Sequence, residues 1–278
     1  MANNAAAEAF VPDGNQVFWA QEEAARSYAT RGELYPPEQT ILGRISAHCR
    51  GRPILDLGVG AGRTTAALLP ISSDYLGIDY SPAMLARCEE RFPGVPFRQA
   101  DVRDLRSLPD RHYGLIMFSF NGIDYICHDE RLRTLGRLQT LLAEDGWLVF
   151  SSHNRLCRVP PPWNLHQLTQ GPLRKLPGRL WAYGKGIAAY RANRSQAYEG
   201  GDHALRIDAC FNYELVTYYI APRDQLAQLR AVGLTAVDVY GMSGQLVDAS
   251  GSPPDSWLYY AARSGAPRTV TAERSGRA

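Results

Sequence analysis

A short apolar strand that runs into a glycine-rich loop constrains the fold of this chain most. Residues 53–57 (PILDL) are apolar except for Asp56, and the loop that follows contains Gly58, Gly60 and Gly62. A run of this length that stops at glycine is typical of a buried parallel strand. Because glycine adopts backbone conformations that other residues avoid, such a loop can turn sharply and let a ligand come close. The pattern therefore predicts an α/β domain with a ligand site at the carboxyl end of this strand.

Strand and helix patterns alternate along most of the remaining chain, which implies right-handed crossovers and a doubly wound, mostly parallel, Rossmann-like sheet. The last two strands enclose a turn-rich loop, so we expect them to form an antiparallel hairpin at the sheet edge. An N-terminal helical lid and an inserted substrate-side segment complete the expected fold. The predicted strands are 53–57, 75–79, 95–99, 113–118, 147–151, 235–240 and 257–262, and the predicted helices are 63–69, 83–92, 130–142 and 222–231.

Composition and charge exclude several classes of protein. The chain is 45% hydrophobic and 21% charged, which is ordinary globular usage and argues against wholesale disorder. No apolar run approaches the ~20 residues of a membrane span, and no secretion signal is recognisable, so we expect no membrane partner. The five cysteines are scattered without a C-x-x-C pair. They argue against a disulfide framework and a metal site, and they favour a cytoplasmic location. A net charge of +2 gives no reason to expect nucleic acid as a partner.

The charge is concentrated in one segment. Residues 156–210 carry a net charge of +5, whereas the rest of the chain carries −3. The segment is also rich in Pro, Gly and aromatic residues, and such a shift marks an insertion. The expected organisation is a disordered stretch at 1–14, a helical lid at 15–50, an α/β core at 51–155, an inserted substrate cap at 156–210, the remainder of the core at 211–263 and a disordered tail at 264–278.

Two further acids end the second and third predicted strands. Asp79 can accept both hydroxyls of a ribose, or it can cap the following helix, a role for which Ser81 is also suited. Asp101 can accept a hydrogen bond from an adenine amino group, or it can be a surface turn residue. The glycine loop lacks the G-K-[ST] of a phosphate-binding loop. The three acids therefore favour a ligand that carries an amino acid, a ribose and an adenine.

Four motifs in this order resemble those of the class I S-adenosylmethionine-dependent methyltransferases: DLGVGAGRTT, GIDYSPAML, QADVRDL and the pattern around the fourth strand. The resemblance is strong over residues 25–155 and loose over 211–263. It implies S-adenosyl-L-methionine as the cofactor. By this resemblance Asp56 lies near the cofactor's amino group, Asp79 holds the ribose and Asp101 holds the adenine amino group. The other cofactor-binding residues that it implies are Gly58, Gly60, Gly62, Arg63, Tyr80, Met84, Val102, Ser119 and the lid residue Tyr28.

Candidates for acceptor chemistry follow the fourth and fifth strands, in 119–125 and 151–154. His153 is either a general base, for which its pKa range is suitable, or a histidine tied structurally to a carboxylate or carbonyl. Asn121 and Asp124 either orient the acceptor or stabilise their loop. We expect acceptor contacts from Asn154, Tyr218 and Tyr219, although aromatic residues in such a stretch also serve as core.

These residues predict methyl transfer to an oxygen or nitrogen of a small molecule, by in-line displacement in a closed cleft. The acceptor is anionic if arginines of the insertion bind it, and those arginines are otherwise solvated surface. Two alternatives remain: transfer of another group from the same cofactor, or a cofactor-binding regulatory or partner protein without turnover. The sequence leaves the acceptor, the methylated atom and the oligomeric state open.

Overall fold

The computed structural model describes residues 32–109, 111–169 and 171–264. The expected lid residue Tyr28 and the expected disordered stretch at 1–14 lie outside the described residues, as does the expected tail after Ser264.

Five parallel strands form the centre of the sheet: β1 (Ile54–Leu57), β2 (Tyr75–Asp79), β3 (Phe97–Gln99), β4 (Tyr113–Phe118) and β5 (Leu142–Asn154). They lie side by side in the order β3-β2-β1-β4-β5. Every residue of β1, β2 and β4 is buried, as their near-continuous apolar sequences predict. The strand order reverses beside β1, whose two neighbours are β2 and β4, so a crevice opens at their carboxyl ends.

Apolar side chains leave the sheet on alternate faces and build two cores. Ile54 packs in one core with Ile41 and Ile45 of the first helix. Leu55 packs in the other core with Leu135 of the fourth helix. The helices up to this point are α1 (Pro36–Cys49), α2 (Thr65–Leu68), α3 (Pro82–Arg91) and α4 (His128–Leu141). Both faces of the sheet are therefore covered.

After β5 the chain makes an excursion of two helices and three strands: α5 (His166–Thr169), α6 (Leu176–Asn193), β6 (Tyr198–Glu199), β7 (His203–Ile207) and β8 (Val216–Ile220). The three strands form an antiparallel unit, called the ribbon here. The ribbon joins the sheet where β8 pairs with the carboxyl end of β5, with His153 opposite Tyr219. The predicted insertion, 156–210, lies within this excursion, and the pairing of β8 with β7 extends the ribbon through Ile220.

The chain then completes the sheet with α7 (Pro222–Ala231), β9 (Leu234–Tyr240) and β10 (Trp257–Ser264). The last strand lies antiparallel between β5 and β9, which confirms the predicted antiparallel C-terminal pair. The fifth strand is longer than the predicted 147–151, because β4, β10 and β8 pair with different parts of it.

The doubly wound, mostly parallel sheet with helices on both faces confirms the predicted fold class. Within the described ranges, no helix is both long and apolar enough to cross a bilayer.

Candidate functional site

Asp56 lies at the carboxyl end of β1 and is almost fully buried. Its carboxylate accepts hydrogen bonds from the Thr64 hydroxyl at 2.7 Å and from the Tyr75 hydroxyl at 2.9 Å. Burial raises the pKa of Asp56 to about 6, although both hydrogen bonds act to lower it. Two hydroxyl groups therefore orient a carboxylate whose charge costs free energy to keep in this position.

Asp79 connects the end of β2 to the glycine loop. One carboxylate oxygen accepts the backbone N–H of Gly60 at 2.9 Å, and the other accepts that of Ser81 at 2.8 Å. Ser81 is the N-cap residue of α3, but its side chain makes no capping hydrogen bond. Ser81 therefore occupies the cap position without a side-chain cap, and the Asp79 carboxylate accepts the backbone N–H of this cap residue. Burial also raises the pKa of Asp79.

The Ser81 hydroxyl is buried and has no hydrogen-bond partner in the described part of the chain. Ser81 lines the same cavity as Asp79. An unsatisfied buried hydroxyl is rare in folded proteins, and a polar ligand in the cavity would satisfy it. The serine was identifiable in the sequence only as a helix cap, because nothing local shows that its hydroxyl faces a cavity.

Asp101 follows β3 and is bound by the side chain of Arg103. The guanidinium Nη2 and Nε lie 2.6 and 3.1 Å from one carboxylate oxygen, and the backbone N–H of Arg103 lies 2.9 Å from the other. The charge of Asp101 is thus balanced within the chain. A carboxylate offers about four acceptor positions, so its predicted contact with an adenine amino group stays a prediction.

The cavity wall combines these acids with apolar side chains. Among the residues predicted to bind a cofactor, those lining it are Asp56, Gly58, Gly60, Arg63, Asp79, Tyr80, Met84, Asp101, Val102 and Ser119. Gly62 has a φ of +78°, and a Cβ there would come within 2.7 Å of Phe92, so close packing against α3 requires glycine. The lining residues that were not predicted to bind the cofactor include Thr64, Ser81, Arg103, Phe118, Phe120, Tyr125 and Ile126.

Arg63 also binds an acid that the sequence analysis missed. Its guanidinium makes two hydrogen bonds to Glu38 of α1, one of them 2.6 Å long, and a third to the Ser119 hydroxyl at 3.0 Å. Glu38 is fully buried and also accepts hydrogen bonds from Ser119 and Tyr259. This ion pair joins α1, the glycine loop and the end of β4. Because Glu38 compensates the charge of Arg63, that charge is not available to bind an anionic ligand.

His153, at the end of β5, forms a dyad with Asp124. Its ring Nδ1–H and its backbone N–H both donate to one oxygen of Asp124, each at 2.7 Å. The other oxygen accepts hydrogen bonds from Ser152 and from the fully buried Arg131, again at 2.7 Å. The structure thus identifies Asp124 as the carboxylate partner of His153, and the role of His153 as a general base or as a structural histidine stays a prediction.

Asn121 lies between the dyad and the loop after β4. Its side-chain NH₂ donates to His153 Nε2 at 3.3 Å, and its backbone N–H donates to Ser151 at 2.7 Å. Phe120 and Asn121 both adopt left-handed backbone conformations, with φ of 55° and 60°. The Asn121 side-chain oxygen is buried without a partner in the described ranges. A strained pair of residues beside an unsatisfied acceptor is typical of a ligand-binding segment.

The predicted acceptor contacts have different surroundings. Asn154 is fully buried and holds the loop before β10 by donating to the carbonyls of Pro253 and Asp255. Tyr218 is fully buried beneath Arg131, whose guanidinium carbon lies 4.4 Å from the ring centroid. These contacts account for Asn154 and Tyr218 without an acceptor. Tyr219 packs on the His153 ring with centroids 4.9 Å apart.

The ribbon brings His203 against His128 of α4, a pair of histidines that the sequence analysis did not single out. His128 and His203 stack with ring centroids 4.0 Å apart and planes 13° apart, and Asp202 bonds to His203. One possible ligand atom from each of these three residues lies within 4.8 Å of the others. A metal ion lies in the plane of each imidazole that binds it, so two face-to-face rings do not converge on one ion as they stand.

Comparison with known proteins identifies the family. Residues 54–146 match the family model described as a methyltransferase domain. Trans-aconitate 2-methyltransferase of Acidovorax sp. is 47% identical over 144 residues, which are 50% of this chain and 49% of that protein. The enzyme of the same name from Methylobacterium nodulans is 30% identical over 179 residues, 64% of this chain and 63% of that protein. The chain thus spans about half to two thirds of these relatives.

Solved structures show the same fold. A Burkholderia thailandensis 1,6-didemethyltoxoflavin-N1-methyltransferase, solved with its methyl acceptor and S-adenosylhomocysteine, superposes with a TM-score of 0.55. The sequence identity is 15%, and the match covers 91% of this chain and 87% of that one. The motifs, the sheet order and these similarities agree: residues 54–146 form a methyltransferase domain, and the chain has the fold of the class I S-adenosylmethionine-dependent methyltransferases.

Proposed function

We propose that this protein transfers a methyl group from S-adenosyl-L-methionine to an oxygen or nitrogen of a small-molecule acceptor. The observation that carries the proposal is the cavity at the strand-order reversal, where Asp56, Asp79 and the Ser81 hydroxyl lie together. Parallel sheets bind their ligands at this position. The family supplies the cofactor, and the donors and acceptors of this cavity fit its groups.

The fit is chemical. Asp56 is a buried carboxylate suited to a cationic amino group, and its elevated pKa shows how much a cation would stabilise its charge. Asp79 and the unpartnered Ser81 hydroxyl suit a ribose diol. Met84 and Val102 offer apolar surface to an adenine ring. When bound, the cofactor supplies a methyl group on a positively charged sulfur.

The protein then has to align the acceptor, exclude water and, for a hydroxyl or ammonium acceptor, remove a proton. His153 is suited to the last task because Asp124 accepts its Nδ1–H, which leaves the lone pair on Nε2. In the structure Asn121 donates weakly to that lone pair, over 3.3 Å. An O–H or N–H group of the acceptor would replace the Asn121 NH₂ as the hydrogen-bond donor to Nε2. The unpartnered Asn121 oxygen would accept a hydrogen bond from a second donor group.

The relatives bear on the class of acceptor. Two of them are named for trans-aconitate, a polycarboxylic acid, and this supports an anionic acceptor for the present chain. Arg63 is not available to bind such an acid, because Glu38 neutralises it. The basic residues of the excursion are the remaining candidates to attract an anion.

The test is turnover with isotope-labelled cofactor, in which the purified protein is incubated with trans-aconitate, with other carboxylic acids and with a metabolite extract. A labelled methylated product supports the proposal. Cofactor binding in a calorimeter with no labelled product from any acceptor would support the binding-protein alternative. Transfer of a different part of the cofactor would show as a different mass increment.

A His153→Ala variant separates the two interpretations of the histidine. As a general base, His153 should contribute about 10²–10⁴-fold to kcat. The cofactor affinity should stay within about twofold, because His153 does not line the cofactor cavity. A loss of kcat below about fivefold would leave alignment alone and would favour an acceptor that is already deprotonated.

A further inference from the structure

The excursion contains an unusually basic stretch. Residues 155–198 include eight Lys and Arg residues and no Asp or Glu, although the whole chain has nearly as many acids as bases. Ordinary surfaces mix charges of both signs, and a single-sign region attracts anionic partners over a distance of about a Debye length. The segment therefore presents a positive field that the remainder of the molecule lacks.

One side of α6 is apolar and faces solvent. Pro177, Leu180, Trp181, Gly184 and Ala188 recur at intervals of one to four residues that place them on the same side of the helix. Leu180 is 50% exposed and Trp181 67% exposed. All eighteen residues of α6 are described, and only Gly186, on the opposite side, is buried. A Cβ on Gly186 would clash with Asn212 and Tyr213, so this opposite side is the one that packs on the excursion.

More apolar side chains are exposed in the segments that lead into this helix. Leu173, in the turn before α6, is 82% exposed, and Trp163 and Leu165, before α5, are 60% and 62% exposed. Trp163 packs edge-on against Tyr190 of α6, with ring centroids 5.8 Å apart, and Tyr190 lies on the same side of the helix as Gly186, so Trp163 flanks the apolar side without being part of it. Scattered exposed leucines need no explanation, but several large apolar residues in one short stretch mark an interaction surface.

The basic residues adjoin this apolar side. Arg174 and Lys175 precede the helix, and Arg191 lies in its last turn. Lys185 lies one turn beyond Trp181, with its Nζ 4.8 Å from the ring centroid. A helix with Trp and Leu on one side and Lys and Arg beside them is typical of segments that lie in the interface of anionic membranes. Solvated surface would explain the bases but not the exposed tryptophans.

We propose that α6 and the turn before it form a docking surface for an anionic lipid bilayer. Trp181, Leu180 and Leu173 would enter the boundary between headgroups and acyl chains. The neighbouring bases would meet the lipid phosphates. The chain would lie on the membrane and not span it, which is why the search for apolar spans in the sequence predicted no membrane partner. The proposal is independent of methyl transfer.

The test is co-sedimentation of the full-length protein with vesicles of phosphatidylcholine alone and of phosphatidylcholine with phosphatidylglycerol. We expect binding to the anionic vesicles only, and weaker binding at 0.5 M salt. Trp181→Glu should lower the partition coefficient by at least about tenfold, and Lys185→Gln should lower it about fivefold. The matched control is Leu246→Glu, because Leu246 is 59% exposed outside the excursion and should leave binding unchanged.

Circular dichroism of each variant should match the parent, since all three side chains are exposed. Failure to bind anionic vesicles, equal binding to neutral ones, or an equal loss in Leu246→Glu would overturn the proposal. Sedimentation velocity without lipid adds one more criterion. A dimer that Trp181→Glu converts to a monomer would show that the surface binds a second copy of the chain, and this also overturns the proposal.

Discussion

At the scale of single residues, the site depends on three carboxylates, of which Asp56 and Asp79 are buried and Asp101 is half-buried. Asp56 is oriented by two hydroxyl groups, Asp79 by two backbone N–H groups and Asp101 by one guanidinium. Only the last of these partners carries a charge. Asp56 and Asp79 are therefore the acids that a ligand with cationic or hydroxyl groups would stabilise most.

Asp79→Ala should weaken cofactor binding by at least about tenfold, because one charge-assisted hydrogen bond is worth ~1.5–3 kcal/mol. Calorimetric titration measures the affinity. Asp104→Ala is the control, since Asp104 is an exposed acid in the loop after β3 whose carboxylate pairs with Arg106. Equal affinity of the Asp79 variant and the parent would contradict the assignment of the ribose to this residue.

Asp56 should make stability depend on pH in an unusual direction. Its pKa is about 6 in the fold against an ordinary value of 3.8, so the folded state binds more protons than the unfolded state between these values. The unfolding free energy contributed by this group is therefore complete below about pH 4 and is lost as pH rises through 6.

The shift of about two units corresponds to roughly 3 kcal/mol. Asp56→Asn removes the titration, so its stability relative to the parent should rise between pH 4 and pH 7 by an amount approaching that figure. Urea unfolding of both proteins at four pH values measures the difference. A difference that stays constant with pH would show that the Asp56 carboxyl does not titrate in this range.

At the scale of elements, Arg131 connects four parts of the fold. It is fully buried on α4, and its guanidinium binds Asp124 after β4, Ser152 of β5 and Gln225 of α7. It also lies over Tyr218 of β8. The dyad of Asp124 and His153 therefore lies where the core and the ribbon meet, and its geometry depends on this one side chain.

Arg131→Met should lower the unfolding free energy by about 3–5 kcal/mol, because it leaves the buried Asp124 without its cation. Arg131→Met combined with Asp124→Asn should recover part of this loss. The control is Arg137→Met, an exposed position on the same helix, with an expected change within about 0.5 kcal/mol. Urea denaturation of the parent, these three variants and the Asp124→Asn single variant measures these changes, and additive losses in the double variant would contradict the buried ion pair.

At the scale of the whole molecule, charge is segregated between the excursion and the core. The excursion begins at the end of β5, beside His153, so its +5 charge over 156–210 adjoins the proposed acceptor side. The cofactor cavity instead contains the three acids. An anionic acceptor and a cationic cofactor would thus approach regions of opposite charge.

For an anionic acceptor, kcat/KM should fall as salt rises from 0.1 to 1 M, where the Debye length falls from ~10 Å to ~3 Å. The affinity for the cofactor should change much less, because Asp56 and Asp79, the acids proposed to bind it, are buried. Initial rates and calorimetry at matched salt concentrations measure both quantities. A flat kcat/KM would indicate a neutral acceptor and leave the basic residues to another role.

The sequence alone determined the features that depend on neighbours in the chain. Apolar runs, glycines and helix periodicity predicted the parallel sheet, and the acids that end β1, β2 and β3 were found because strand ends are visible locally. Ten of the predicted cofactor residues line one cavity for this reason.

Tertiary structure decided the features that depend on residues far apart in the chain. Glu38 meets Arg63 across 25 positions, and Arg131 meets Gln225 across 94. The strand β8 belongs to the ribbon because it pairs with β7. The strand β5 extends beyond its apolar run because its partner strands pair with the added residues. Buried polar groups need hydrogen-bond partners, and in the folded chain these partners can lie far away in sequence. Local sequence patterns therefore do not identify them.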